Sequence, residues 1–263
     1  SAHVSDAASV GTLRAALAEA GVVAPVVGGA RSHFTELNRE HRRLPDDLDG
    51  IVFSLTPLFH SSGTAQLVES VAMQRLVAEQ AVDEAAATPV HIGPVTLRPR
   101  FNNVATTPPP MPADADLRAG YGPQLIDADD ERQDVWELAA WTIASAAALA
   151  VPGVASLTYF EEWGARGLRR ADGTDRPVAD AVRALASLSG TTLLHGASPD
   201  GLVWAVGGRS RGGDETVLVA NLDRGPRTLS VSAPGGTVRV TLGPGEWLSS
   251  RSAGTAPPRA DRR

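Results

Sequence analysis

The apolar periodicity of this chain changes once, and that change limits the possible folds more than any other feature. Through about the first 190 residues, helix-period and strand-period segments alternate. Ser9 to Ala20 reads as a helix stopped by Gly21, a residue suited to the left-handed position after a helix. Val22 to Val27 reads as a first strand and Ile51 to Leu55 as a second. A helix from about Thr64 places Leu67, Val71, Ala78 and Val82 on one stripe, with Val68 and Ala72 beside it. Val90 to Pro94 is the third strand. A Pro-rich excursion through Pro108, Pro109 and Pro110 then runs to about Glu131, a length that suits a lid or binding loop. Asp134, with Glu137 three residues on, reads as the capped start of a helix that buries Val135, Leu138, Ala139, Thr142, Ile143 and Ala146. Val154 to Phe160 is the fourth strand, and Asp175-Arg176-Pro177 opens a helix through about Leu188. Such alternation predicts a parallel sheet with crossover helices.

From Thr191 the period becomes 2, in LVWAV at 202–206, TVLVAN at 216–221, RTLSVS at 227–232 and TVRVTL at 237–242. Turns such as Ala233-Pro234-Gly235-Gly236 separate these runs, which predicts a small antiparallel β-sandwich. The expected domains are therefore 1–189, a partial barrel, and 190–252, the sandwich, with 253–263 a disordered tail. Four strand–helix units are half of what a (β/α)8 TIM barrel needs for closure. The expected fold class is α/β: the C-terminal part of such a barrel followed by the sandwich. An open four-stranded sheet is the alternative. In the half-barrel, strand 22–27 has an open edge, to be covered by a missing N-terminal half or by a second copy in a homo-oligomer.

Composition removes several chemistries. The 263 residues contain no cysteine, so disulfides, thiolate metal sites and a cysteine nucleophile are excluded. All 24 basic residues are arginine, which excludes a Schiff-base lysine and a phosphate-loop lysine. A net charge of -6 offers no general attraction to nucleic acid or an anionic membrane. No apolar run approaches the roughly 20 residues needed to span a bilayer. The start, Ser1-Ala2-His3, has neither an initiator Met nor a secretory pattern, so it reads as a cut or partial start and the expected location is cytoplasmic.

Polar residues gather where three of the strands end. The segment VHIGPVTLRPRFN carries His91, Arg98, Arg100 and Asn102; the segment after the first strand is FTELNR, with Glu36 and Asn38; the fourth strand ends at Glu161 and Glu162. Loops after the carboxyl ends of parallel strands open on one face, where ligands bind, so these three are expected to share a rim. Glu36 and Glu161 are the candidate acid/base carboxylates. The plainer readings are a helix-capping or surface Glu at 36, and an Arg166 salt bridge or solvation at 161 and 162. Arg98 and Arg100, one residue apart, suit a substrate carboxylate or the oxyanion of acyl transfer, or else tie the long loop to nearby carbonyls. His60 and His91 are candidate hydroxyl binders, or structural histidines. HxH and HExxH spacings and a GxGxxG or phosphate loop after a strand are missing from the sequence, and the G-x-S-x-G match at Gly208 to Gly212 lies between two strand-period runs rather than on a strand-to-helix elbow, so no metal, cofactor or serine nucleophile is expected.

With FTELNR, HIGPVTLRPRFN and TYFEEWG in this order, the chain resembles the D-apionate lactonase family of sugar-acid lactonases over roughly Val26 to Leu188 and the strands that follow. The resemblance implies a glycoside-hydrolase-like barrel with a C-terminal β domain, and the opening of a five-membered aldonolactone. Glu36, Asn38, His60, His91, Arg98, Arg100 and Glu161 are the motif positions it carries over. The expected function is a metal-free lactone hydrolase acting on a small sugar lactone. The alternatives are a retaining glycoside hydrolase that uses Glu36 and Glu161 about 5 Å apart, and an inactive or carbohydrate-binding fragment.

Overall fold

The computed structural model describes residues 3–59, 61–99, 129–233 and 236–252. Its first compact unit comprises Ser1–Gln133 and Val151–Arg176. Four parallel strands build it, β1 (Val27–His33), β2 (Gly50–Leu55), β3 (Val90–Val95) and β4 (Val154–Tyr159), paired in the order β1-β2-β3-β4. Parallel neighbours in sequence order are what strand–crossover–strand repetition produces. Phe53, Val90, Ile92 and Val95 are wholly buried, as central parallel strands require.

β1 lies later in the chain than the expected strand 22–27. The Val22 amide closes helix α1 (Ala7–Glu19) by donating to the Leu17 carbonyl, and Val23 is fully exposed. Pairing starts only after Pro25, which has no N–H to donate; the Asp49 carboxylate accepts from the Val26 amide at 2.7 Å. The ladder then runs on through Gly28 and Gly29, past the expected strand end at Val27. A Cβ on Gly29 would sit 2.0 Å from the Val52 carbonyl oxygen, so the tight strand approach depends on glycine there. The outer edge of β1 is partly taken by the chain itself: Val4 bridges Ala30, and the Ser5 amide donates to Gly29 at 3.0 Å.

Helix α2 (Phe34–Glu40) follows β1 without a loop, which places FTELNR on a helix. Helix α3 (Thr64–Glu84) buries Leu67, Val71, Gln74, Ala78 and Ala81. Ser70 joins that stripe, donating to the Leu67 carbonyl and accepting from Gln74, whereas Ala72 is exposed. β3 extends one residue past Pro94. Three steps from Ile92 to Val95 match two on either neighbour, Phe53 to Leu55 and Leu157 to Tyr159, so Gly93-Pro94 forms a bulge, where a central strand tolerates proline.

The second compact unit is Asp134–Ala150 with Pro177–Arg263. Helix α4 (Glu137–Leu149) starts three residues later than the capping pattern suggests, because Glu131–Asp134 forms a 3₁₀ turn instead. Every α4 residue from Leu138 to Leu149 is buried, so no single face can be singled out, and Val135 is exposed. α4 packs on helix α5 (Val178–Ala186) and on the four-stranded antiparallel sheet. Counting the two short strands β5 (Glu161–Trp163) and β6 (Gly167–Arg169) of the first unit, that sheet consists of β7 (Thr192–Ala197), β8 (Val203–Arg209), β9 (Glu215–Asn221) and β12 (Trp247–Ser252), in the order β12-β9-β8-β7. The hairpin β10 (Arg227–Ala233) with β11 (Gly236–Leu242) gives it Leu229 and Leu242, which pack with Val203, Val219 and Leu248. This is the two-layer arrangement that period 2 predicts. Residues 253–263 lie outside the described residues.

Candidate functional site at the ends of β3 and β4

The chain leaves β4 through an unusual residue. Phe160 is buried and has φ 60°, a left-handed conformation that costs a non-glycine side chain about 1 kcal/mol or more. Its amide donates to the Val95 carbonyl at 2.9 Å, tying the ends of β3 and β4 together. The chain turns sharply there, and Glu161 follows on β5 with its side chain 15% exposed. Its amide donates to the Arg166 carbonyl at 3.0 Å, and the Arg166 guanidinium lies 3.5 Å from its carboxylate. Arg166 is 1% exposed and also donates to the Pro99 carbonyl at 3.5 Å, so one buried guanidinium links the segment after β3 to the carboxylate after β4. Glu162 turns outward to Arg169, and both are exposed. The Arg166 salt bridge thus belongs to Glu161.

Arg98 lies three residues beyond β3, and its Nε donates to Asp130 at 3.1 Å. Asp130, 4% exposed, also receives both arms of the Arg132 fork at 2.7 Å and the Arg132 amide at 3.1 Å. Burial pushes this carboxyl up, but the Arg132 hydrogen bonds and the Arg98 charge outweigh it and hold it below its ordinary value. The segment entering the Pro-rich excursion is thereby clasped to the segment leaving it. The clasp uses only the Nε of Arg98. Its terminal nitrogens have no hydrogen-bond partner among the described residues, and the side chain is 27% exposed. Gln133 completes the support by donating to the Gly167 carbonyl at 3.1 Å.

The other expected residues divide as follows. Glu36 is buried on α2 and accepts from Arg39 at 2.9 Å. Asn38 is half-buried on the same helix, and its backbone carbonyl meets the His41 ring at 2.7 Å. Both follow β1, the far strand of the sheet. β1 and β4 are the two edges of the sheet, with β2 and β3 between them. His91 is the second residue of β3, its Nδ1 2.8 Å from Ser156 Oγ and its Nε2 beside Gly50. That places it about 13 Å along the strand from Val95, at the amino-terminal end of the sheet and away from Arg98. Arg98 and Glu161 therefore follow the carboxyl ends of the neighbouring strands β3 and β4, Glu36 follows β1, and His91 lies at the amino-terminal end of β3. His60 and Arg100 lie outside the described residues.

Three contributors were not singled out as site residues in the sequence: Arg166, Asp130 and Phe160. Arg166 lies five residues after Glu161 in EEWGAR, a spacing that a short return through Gly164 turns into a contact. Asp130 sits between Asp129 and Glu131, with Asp127 just ahead, in an acidic stretch that looks like solvated surface. Phe160 has no composition signal at all, since its conformation shows only in the fold.

Parallel strands with polar groups at their carboxyl ends, followed by a C-terminal antiparallel unit, define an α/β protein of the barrel type. Solved structures with this fold include SrfJ from Salmonella typhimurium (TM-score 0.52, 12% identity, covering 94% of this chain and 51% of that one). An endo-β-1,6-glucanase (0.53, 10%, covering 94% and 52%) and the GH51 arabinofuranosidase from Xanthomonas axonopodis pv. citri (0.51, 12%, covering 88% and 56%) are also similar. At these identities the likeness concerns the fold, and the chain spans about half the length of each. No curated protein matches the sequence. The chain itself belongs to the D-apionate lactonase family: the model of that family's TIM barrel domain matches residues 2–190.

Proposed function

We propose that this chain carries the catalytic half of a hydrolase that opens a sugar-acid lactone of the apionolactone type. The observation that carries the proposal is the shielded Glu161 carboxylate, set by a strained residue at the end of one strand and linked through buried Arg166 to the loop of the next. Family membership supports the substrate class. In this reading Glu161 takes a proton from water as the water oxygen attacks the lactone carbonyl carbon. The terminal N–H groups of Arg98 stabilise the resulting oxyanion, and Asp130 fixes the plane of that guanidinium. Collapse breaks the ring carbon–oxygen bond. The proton held by Glu161 then passes to the departing alkoxide, which leaves as the hydroxyl of the open acid. Arg166 is a positioning residue, buried too deeply to touch substrate.

No described feature favours the retaining-glycosidase alternative. That chemistry needs two carboxylates about 5 Å apart, and the described contacts pair Glu36 with Arg39 on α2 and Glu161 with Arg166. The rest of the barrel is proposed to come from additional polypeptide or from a second copy, beside the outer edge of β1. Incubating the full-length protein with a panel of γ-aldonolactones and p-nitrophenyl glycosides tests the function. Acid release from lactones with no nitrophenol release is expected; the reverse pattern would overturn it.

A further inference from the structure

A second cluster of charged side chains lies away from Glu161. We infer that His3, Glu36 and Glu40 form a binding site for a divalent transition cation, separate from the lactone site. Each offers a ligand atom, and the three atoms lie within 4.8 Å of one another. Two ligands at about 2.1 Å from one ion stand no more than about 4.2 Å apart, close to the separations already present.

The fold, rather than sequence spacing, assembles the group. Val4 is buried and bridges Ala30, which holds the preceding residue, His3, against the carboxyl-terminal half of β1 where α2 begins. Glu36 and Glu40 are one helical turn apart on α2. Like charges at that spacing destabilise a helix, and a bound cation removes the penalty. Glu36 is 5% exposed, an expensive place for a carboxylate. Arg39 neutralises only one of its oxygens, and Arg43 only one of Glu40's, each at 2.9 Å. Among the described residues nothing hydrogen-bonds the other oxygen of either carboxylate or the His3 ring. Both arginines are largely exposed at their outer ends and can stay on those first oxygens while a metal takes the second. One imidazole with two carboxylates suits Mn²⁺ or Zn²⁺ better than Mg²⁺, which prefers oxygen and water.

Because Glu36 has no part in the proposed lactone chemistry, the two readings fail independently. The test is a Mn²⁺ titration of the full-length protein, followed by loss of the free-ion electron paramagnetic resonance signal and by melting temperature. Saturable binding of one Mn²⁺ per chain with a rise in melting temperature is expected. Glu40→Gln and His3→Ala should each weaken it about tenfold or more, because even outer-sphere changes cost that much at metal sites. Glu79→Gln, an exposed carboxylate on α3, should not. His3→Ala alters a segment ahead of the first helix, and its melting temperature without metal confirms that it is folded. Absence of saturable binding, or binding that both variants leave unchanged, would overturn the inference.

Discussion

Arg166 shows how one side chain can control a site it never touches. A buried guanidinium is tolerable because it meets the Glu161 carboxylate and the Pro99 carbonyl together. Lysine has the charge but not the planar fork, so it cannot hold both partners in one geometry. Arg166→Lys should therefore lower kcat about tenfold or more with KM little changed. Removing the charge altogether, as in Arg166→Met, should cost about 3 kcal/mol of stability, measured by denaturant unfolding, since it takes one partner out of a buried ion pair. A variant that unfolds like the parent and keeps its kcat would mean that Arg166 is only packing. Residue identities of this sort were partly legible. Glu161 and Arg98 stood out because polar residues after apolar strands are conspicuous, whereas Arg166 was legible only as a salt-bridge partner for 161 or 162 and Asp130 resembled an ordinary surface charge.

The segments joined by the Arg98–Asp130–Arg132 clasp set how the excursion between β3 and α4 is anchored. Asp130 has its carboxyl held below the usual value in the folded state, so its ionised form stabilises the clasp fully above the unfolded value of 3.8. That contribution is lost as pH falls through the lower folded value. Urea unfolding followed between pH 6 and pH 2 should show stability falling in the acid range, and Asp130→Asn should be less stable at pH 6 with a shallower fall. Equal slopes for the two proteins would contradict the clasp. At this scale element types were legible in the sequence and boundaries less so. The β1 glycines and Pro94 looked like stops, because a glycine that permits close strand contact and a proline seated on a bulge are indistinguishable from turn residues until the neighbouring strand is in place. α4 lost its expected face for a different reason: a helix buried all round has no periodic signal to read.

For the whole molecule, a four-stranded parallel unit and a two-layer antiparallel unit were both visible in the change of period. What periodicity cannot show is which helices each unit claims: α4 joins the antiparallel sheet because its apolar surface meets it, and α5 follows by packing on α4. The exposed apolar residues Leu13, Val22, Val23 and Val27 cluster in sequence around β1, where the proposed remainder of the barrel would lie. Hydrogen exchange at residues 22–33 should be slower in the full-length, assembled protein than in residues 1–263 alone; equal rates would leave the edge without an occupant. The central claim is that Glu161 activates water for lactone opening, and it is tested most directly by single-turnover hydrolysis of an apionolactone-type substrate by the full-length protein, parent against Glu161→Gln. A fall in the chemical rate of about 100-fold or more, with the melting temperature preserved, is the predicted result. A folded variant that opens the lactone at the parent rate would contradict the account.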